Sequence, residues 1–359
     1  MNMPKILVAP LDWGLGHATR CIPIIRELIQ RQCRVELGGS GAAAKILQQE
    51  FPDLPFHTLP SYNIQYPENG GAFISKIILQ IPGILNTIRI EHQWLKEKQH
   101  EHHWDLIISD NRYGLWHPKI RTIFITHQLQ IISGWGHFID LLIRQLHYKL
   151  IHRFTHCWVP DQEQQPCLAG ILSHPSQLPN NARYIGPLSR FNDLEKGNES
   201  KIVIALSGPE PQRSILEEKL IILFNKPQWS NQQIEFIRGL PNAHTTPTAA
   251  YNINFVNHLN SNEFVKMISS ASMLICRSGY SSIMDLVRLG KKALLIPTPG
   301  QTEQEYLAKW MSEQNLFISC SQDDPNLEHL IGQTLEQPEL KINPDFEEYK
   351  KALDELGIQ

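Results

Sequence analysis

Several things are missing from this sequence, and each absence narrows what the chain can be. No stretch approaches the roughly 20 apolar residues of a transmembrane helix. The start, MNMPKILVAP, runs straight into a strand pattern without the apolar core of a signal peptide. The six cysteines (Cys21, Cys33, Cys157, Cys167, Cys276, Cys320) form no C-x-x-C pair, and several sit in apolar patterns as small hydrophobes. A disulfide framework is therefore not expected, and a reducing, cytoplasmic setting fits best. Excess positive charge is missing too: the net charge is -3, which argues against general nucleic-acid binding. No D-x-D pattern is present to hold a divalent metal. A complete G-x-G-x-x-G fingerprint is also absent. Gly14 and Gly16 have Thr19 where the third glycine belongs, and Leu37-Gly38-Gly39 puts no acidic residue at the end of the second strand. NAD binding is not expected.

What is present describes a globular protein. Of 359 residues, 42% are hydrophobic and 19% charged, a length that suits two domains. The charge is uneven. Residues 1–185 hold 17 Lys+Arg against 14 Asp+Glu, and the remainder holds 16 against 22. Thirteen of the 16 histidines also lie in the first half, which becomes cationic in mild acid or beside an anionic surface.

Short apolar runs at KILVA, Arg34–Leu37, LIIS and Thr122–Thr126 alternate with helical patterns. Such alternation predicts parallel βαβ units. A polar stretch near Asn192–Ser200 reads as a linker, and a new series starts at KIVIAL. The expected organisation is a doubly wound domain at 1–188, a linker at 189–200 and a second doubly wound domain at 201–340. A terminal helix at 341–359 packs back on the first domain. No sequence repeat relates the halves.

Chemistry is expected at strand ends. Asp12-Trp13-Gly14-Leu15-Gly16-His17 leaves the first strand and places His17 at a helix start, where imidazolium is disfavoured and a neutral base is favoured. A structural loop with a capping histidine is the plainer alternative. Asp110, ending LIISD, can orient His17, or it is a solvated strand-end carboxylate. His127 carries the same ambiguity. His100, His102 and His103 read as a surface loop rather than a metal site. Residues 129–159 mix apolar side chains with Arg144, His147, Lys149, His152 and Arg153. The preferred reading is a core-packing helix with a basic outer face. The alternative, shared by Phe73–Ile90, is an amphipathic face that docks on anionic lipid.

The most informative stretch is Cys276–Glu305. It reads as strand end, Arg277-Ser278-Gly279 turn, helix, strand to Pro297, and the polar cluster at Gln301–Glu305. A small-residue turn at a helix N-terminus suits a phosphate. Asp285 lies far enough into the helix to meet a sugar hydroxyl. Ser207, Gly208, Glu210 and Arg213, in SGPEPQR, form a second strand-end turn. Arg213 and Arg277 each offer bidentate donors to phosphate.

These motifs resemble the two-domain GT-B glycosyltransferases, nearest to the MurG-type nucleotide-sugar enzymes. The resemblance spans nearly the whole chain, on few specific motifs. It implies an α/β architecture of two Rossmann-like domains facing a central cleft, the first acceptor-side and the second donor-binding. In the family, the turn matched by Ser278 and Gly279 binds diphosphate, and Arg277, Ser281 and Ser282 around it fall on the donor-binding side. The residue matched by Asp285 binds ribose, and those near Glu303, Gln304 and Glu305 bind the donor sugar. Phe255-Val256 matches the pair that reads uracil, and Arg190 an arginine near the donor phosphates. Gly14, Gly16 and His127 fall on the acceptor side, and His17 on the position proposed as general base. Two departures stand out. Glu305 replaces a glutamine, and Pro209 and Pro211 remove backbone donors from a loop that is glycine-rich in the family. The implied function is inverting, metal-independent transfer of a sugar from a UDP-linked nucleoside diphosphate sugar to an acceptor hydroxyl. No cofactor is implied. A lipid-linked acceptor and peripheral contact with the inner face of the membrane are the further expectation, and they rest on the basic-apolar segment 129–159. A nucleotide-sugar hydrolase or epimerase, or a non-catalytic nucleotide-sugar-binding protein, remain the alternatives.

Overall fold

A computed structural model describes residues 3–62, 73–191, 200–240, 243–340 and 342–358, with backbone only at 73–79. Most of the linker expected at 189–200 lies outside the described residues. Contacts divide the chain into two compact units. One comprises Met1–Gln65, Ile74–Arg190 and Pro344–Gln359, and the other Tyr66–Phe73 and Phe191–Asn343.

The first unit begins β1 (Lys5–Pro10), α1 (Gly16–Gln30), β2 (Arg34–Gly39), α2 (Gly41–Glu50) and β3 (Phe56–Thr58). It continues α3 (Phe73–His102), β4 (Leu106–Asp110), β5 (Arg121–Ile125), α4 (His137–Ile151), β6 (His156–Val159) and β7 (Ala182–Tyr184). The seven strands form one sheet, ordered β3-β2-β1-β4-β5-β6-β7, and every pairing is parallel. Parallel neighbours cannot be joined by hairpins, so long crossovers, most of them helical, cover the sheet faces. Covered faces explain why β1 and β4 are apolar runs rather than alternating patterns. Ile6 to Ala9 and Ile107 to Asp110 are fully buried.

The order of this sheet reverses between β1 and β4. That switch point is where open α/β sheets leave a crevice beyond the carboxyl ends of their strands. Register pairs Pro10 with Asp110, and the Leu11 amide donates to the Asp110 carbonyl at 2.9 Å. The loop carrying Gly14 and His17 therefore leaves the sheet directly beside Asp110.

The second unit repeats the plan. It contains β8 (Lys201–Ala205), α5 (Gln212–Phe224), β9 (Gln233–Ile237), β10 (Ile253–Val256), α6 (Ser261–Ser269) and β11 (Ala271–Cys276). Then come α7 (Tyr280–Arg288), β12 (Ala293–Leu295), α8 (Thr302–Glu313), β13 (Ile318–Ser319) and α9 (Leu327–Glu336). Its six parallel strands run β10-β9-β8-β11-β12-β13, reversing between β8 and β11. Ala205 pairs with Cys276, so the turns after β8 and β11 emerge side by side.

The last helix, α10 (Glu348–Glu355), is shorter than the 341–359 expected from sequence. Pro344 disfavours helical backbone before it, and the Asp345 side chain accepts from the Glu347 amide at 2.8 Å, as a turn residue does. This segment belongs to the first unit. Arg31 pairs with Asp354 at 2.5 Å, and Arg121 donates to the Leu356 carbonyl at 2.6 Å. Gly186 makes the fit possible: a Cβ there would lie 2.1 Å from the Asp345 carbonyl oxygen.

Candidate active site

At the first switch point the sequence folds a charged cluster into the end of the sheet. His17 is the second residue of α1, and its Nδ1 lies 2.6 Å from Asp110 Oδ1. The two residues are 93 positions apart, and topology alone brings them together. Asp110 is fully buried, while the His17 side chain keeps 17% of its surface exposed. Burial alone would raise the Asp110 pKa. The charges of Arg20 and then His17 outweigh it and hold the carboxyl at about 2. Burial lowers the His17 pKa, and Arg20 lowers it further against the pull of Asp110.

The contacts of Nδ1 bear on the tautomer. Asp110 is ionised at neutral pH, and a bare Nδ1 against its oxygen would oppose two acceptors at 2.6 Å. The shorter Asp110 contact favours the proton on Nδ1 and the lone pair on Nε2, and the 2.9 Å approach of Arg20 Nη2 to Nδ1 is then a contact between two donors rather than a hydrogen bond. A neutral imidazole with a free Nε2 can accept a proton from a hydroxyl.

Arg20 was not singled out from sequence. It is fully buried and grips both oxygens of Asp110: Nε pairs with Oδ2, and Nη2 donates to Oδ1 at 2.5 Å. Nη2 also lies 2.9 Å from His17 Nδ1, and Nη1 lies 3.2 Å from His127 Nδ1. His127 is buried and joins the cluster through Arg20. The available signal was spacing, since Arg20 follows His17 by three residues and so shares its helix face.

A second buried network, also unforeseen, holds the surrounding loops. Arg112 donates to the carbonyls of Pro10 and Pro60 at 2.7 and 3.0 Å. It pairs with Glu91 at 2.7 Å and donates to Ser40 Oγ at 2.9 Å. Both Arg112 and Glu91 are fully buried. Ser40 and Ser61 donate to Asp12. The loop carrying exposed Gly14, with φ +83°, is thus pinned at Asp12.

In the second unit the turn Arg277-Ser278-Gly279 joins β11 to α7. Gly279 is the N-cap, and no side chain caps the helix there. A Cβ on Gly279 would meet only Ser282 Oγ, at 4.0 Å, so the glycine leaves an open approach to the helix N-terminus. Ser281, Ser282 and Asp285 lie along α7, partly exposed. Ser278 Oγ donates to the Gln304 carbonyl at 2.8 Å. The Gln304 side chain accepts from the Thr298 amide, and Glu305 accepts from the Gly300 amide, each at 2.8 Å. Glu303 sits in the same first turn of α8. These residues shape the 298–301 loop beside the turn.

Two expectations change. Arg213 does not present a free guanidinium. It is buried and held by Glu210, in the turn before α5, at 2.5 Å and by Glu217, four residues on along the helix, at 3.2 Å. Arg277 is buried as well and spends its donors on oxygens of its own unit. Nη1 reaches the Ile296 and Pro297 carbonyls at 3.3 and 3.1 Å. Nη2 reaches the Gln212 carbonyl and Gln322 Oε1, both at 2.7 Å. No carboxylate pairs with it among the described residues. Burial lowers its pKa to about 10, so it stays cationic at neutral pH. Its Nε and the nearby Thr298 Oγ1 are buried without a partner among the described residues. Ser207 and Gly208 (φ +101°) are exposed, and a Cβ on Gly208 would lie 3.5 Å from Thr298 Oγ1. Phe255 packs on Phe236 at the free edge of the sheet, where β10 is the outermost strand. Val256 ends that strand. Arg190 closes the first unit, its carbonyl accepting from Arg26 at 2.7 Å.

The helix expected to pack into the core within 129–159 does so only at one end. In α4, His147 and Ile151 are buried, whereas Phe138, Leu142 and Leu146 are 71, 43 and 63% exposed. Spaced by four, they form one stripe. Ile81 and Leu85 of α3 are exposed too. No helix among the described residues is long and apolar enough to cross a membrane.

Among the described residues two groups bring three possible metal-ligand atoms within 4.8 Å of one another: Glu36, His57 and His102, and Asp161, Cys167 and His174. His102, read as a surface residue, thus meets Glu36. Both carboxylates are already engaged. Glu36 is held by Lys5 at 2.8 Å and by Trp104 at 2.9 Å. Asp161 accepts from the Leu168 and Ala169 amides at 2.9 Å.

Comparison with known proteins fits this geometry. Residues 216–354 match the glycosyltransferase family 28 C-terminal domain. A UDP-N-acetylglucosamine–N-acetylmuramyl-(pentapeptide) pyrophosphoryl-undecaprenol N-acetylglucosamine transferase of Sulfurihydrogenibium sp. (strain YO3AOP1) is 25% identical over 169 residues, 46% of each chain. Its counterpart from Desulforudis audaxviator is 38% identical over 58 residues, 16% of each chain. The chain thus aligns with less than half the length of these curated relatives. Solved structures extend the likeness over both units. The glycotransferase of kitacinnamycin has a TM-score of 0.64 at 15% identity, covering 94% of this chain and 92% of that one. MurG of Acinetobacter baumannii has 0.55 at 12%, covering 93% and 92%. The chain has the GT-B fold of two-domain glycosyltransferases and resembles the MurG-type nucleotide-sugar enzymes.

Proposed function

We propose that the protein is an inverting glycosyltransferase that moves a sugar from a UDP-linked donor to an acceptor hydroxyl. The observation that carries the proposal is the 2.6 Å contact of buried Asp110 with His17 Nδ1 at the switch point of the first unit, in a chain whose residues 216–354 match a glycosyltransferase domain. His17 Nε2 takes the proton of the acceptor hydroxyl as its oxygen attacks the anomeric carbon. The bond from that carbon to the diphosphate breaks, and the diphosphate leaves with the electron pair. Attack opposite the leaving group inverts the configuration. Asp110 stabilises the imidazolium that forms.

The leaving diphosphate gains charge as the bond breaks, and the second unit supplies fixed positive potential for it. The α7 N-terminus at Gly279 offers oriented amides. Arg277 adds a buried cation that no carboxylate among the described residues neutralises. Arg277 acts through the turn it braces rather than as a bidentate clamp. Such fixed donors do the work otherwise given to a divalent cation, so transfer should persist in chelator.

The exposed stripe Phe138, Leu142 and Leu146, near exposed Lys149, His152 and Arg153, supports an acceptor presented at an anionic membrane surface. The curated relatives' names specify an undecaprenol-linked acceptor. A thermal-shift screen of nucleoside diphosphates and their sugars tests the donor class. UDP should stabilise more than GDP, TDP or NAD, and equal shifts would count against the proposal. UDP release with no acceptor present would point instead to hydrolysis.

A further inference from the structure

We propose that Arg20 is the positioning residue of the His17–Asp110 pair, clamping the carboxylate so that Asp110 orients the imidazole without charging it. The inference rests on the reading of His17 as the base and adds what keeps that base ready. The geometry is specific. A guanidinium that pairs with both oxygens of one carboxylate fixes its plane. Here Nε takes Oδ2 and Nη2 takes Oδ1, and Oδ1 is also the oxygen that receives His17. The ring orientation is thus inherited from Arg20 through Asp110.

The clamp also sets the charge. A buried carboxylate beside a histidine raises the ring's affinity for a proton, and a ring that is already protonated is no base. The Asp110 charge is already balanced by Arg20, and Arg20 Nη2 stands 2.9 Å from Nδ1. A second cation at His17 would face that guanidinium across a buried contact. The charged or titratable groups facing His17 from the packed elements are Arg20 on α1, Asp110 at the end of β4 and His127 after β5. Cys21, beside Arg20, contacts Asp110 Oδ2 at 3.7 Å through its thiol. Only Asp110 among them favours the charged ring.

Removing Arg20 therefore has a signature that loss of packing lacks. In Arg20→Gln, Asp110 keeps its charge and has His17 as its remaining cation, so the ring becomes easier to protonate. The His17 C2–H resonance, assigned by its absence in His17→Gln, should titrate at higher pH than in the parent protein. The acid limb of transfer should move up with it, and activity lost at neutral pH should partly return at higher pH. Arg20→Lys retains the charge and loses the two-point grip. It should leave the titration low and reduce kcat about 10-fold at all pH values. Asp110→Asn removes the opposing charge and should push the His17 titration lower. These outcomes together support the clamp.

An unchanged His17 titration in folded Arg20→Gln overturns it. If that variant does not fold, Asp110→Asn and Arg20→Lys decide. An unchanged titration in Asp110→Asn, or a raised one in Arg20→Lys, overturns the proposal equally. The titration is read without substrate. Shifts in the expected directions together with full activity in His17→Ala would sink the base assignment and spare the clamp.

Discussion

The two units share a topology and differ in what they place at the switch point. In the first, the strand ends are closed by groups that satisfy one another: Arg20 on Asp110, Asp110 on His17, Arg112 on Glu91 and Ser40. In the second, among the described residues, the strand ends carry a cation without a carboxylate, a buried hydroxyl without a partner and a helix N-terminus without a side-chain cap. One arrangement suits a base whose protonation must be controlled. The other suits an anion that arrives with its own charge. A doubly wound sheet fixes where chemistry sits, and a few side chains at one register position decide which chemistry it is.

The comparison can be broken by substitution. If the first network is self-satisfying, cutting it costs folding stability before it costs binding. Arg112→Met should destabilise the protein by about 3–5 kcal/mol, because Glu91 is left as a buried, unpaired charge. Urea unfolding measures this, and a loss below about 1 kcal/mol would show that the network relaxes.

Acid sharpens the same point. His147 is buried against Tyr113, and burial lowers its pKa to about 4 from an ordinary 6.5. The unfolded chain therefore binds a proton as pH falls below 6.5 and the folded chain does not. The associated stability is present above 6.5 and is lost progressively toward about 4, by about 3 kcal/mol. Asp110, depressed from 3.8 to about 2, adds loss in the same direction below pH 4. His147→Phe should flatten the upper part of the curve. A curve that keeps its slope there would exclude His147 as its source.

In the second unit the expectation reverses. Thr298→Val removes an unpaired buried hydroxyl and should leave the free protein as stable as before, or more stable by about 1 kcal/mol. If that hydroxyl serves the donor, UDP affinity should fall about 10-fold. Unchanged UDP affinity would remove Thr298 from the site. The smallest effect is expected on the outer face of α4. Leu146→Gln should change stability by less than about 0.5 kcal/mol and yet weaken cosedimentation with anionic vesicles in low salt. Vesicle binding indifferent to this change would leave the stripe unexplained.

Much of this was legible in the sequence. Apolar runs such as KILVA and LIIS become buried parallel strands because both sheet faces are covered, and the Ser278-Gly279 turn is recognisable because few residues but glycine leave a helix N-terminus open. Asp110 as the partner of His17 could be guessed only from its place at a strand end. Arg20 could not be weighted, since an arginine in a first helical turn is ordinary until a carboxylate 90 positions away is folded onto it. Arg213 looked like a phosphate ligand for the same reason in reverse: the sequence shows a guanidinium but not that Glu210 and Glu217 hold it. The exposure of the α4 stripe is not legible in the sequence, because helical periodicity shows an apolar stripe without showing what covers it.

The central claim is that His17 is the base of a transfer whose donor is held by the other unit. Measuring both properties in His17→Ala tests it most directly. UDP binding should be unchanged while transfer falls by roughly 100- to 10,000-fold. Near-normal transfer in that variant, with UDP still bound, would contradict it.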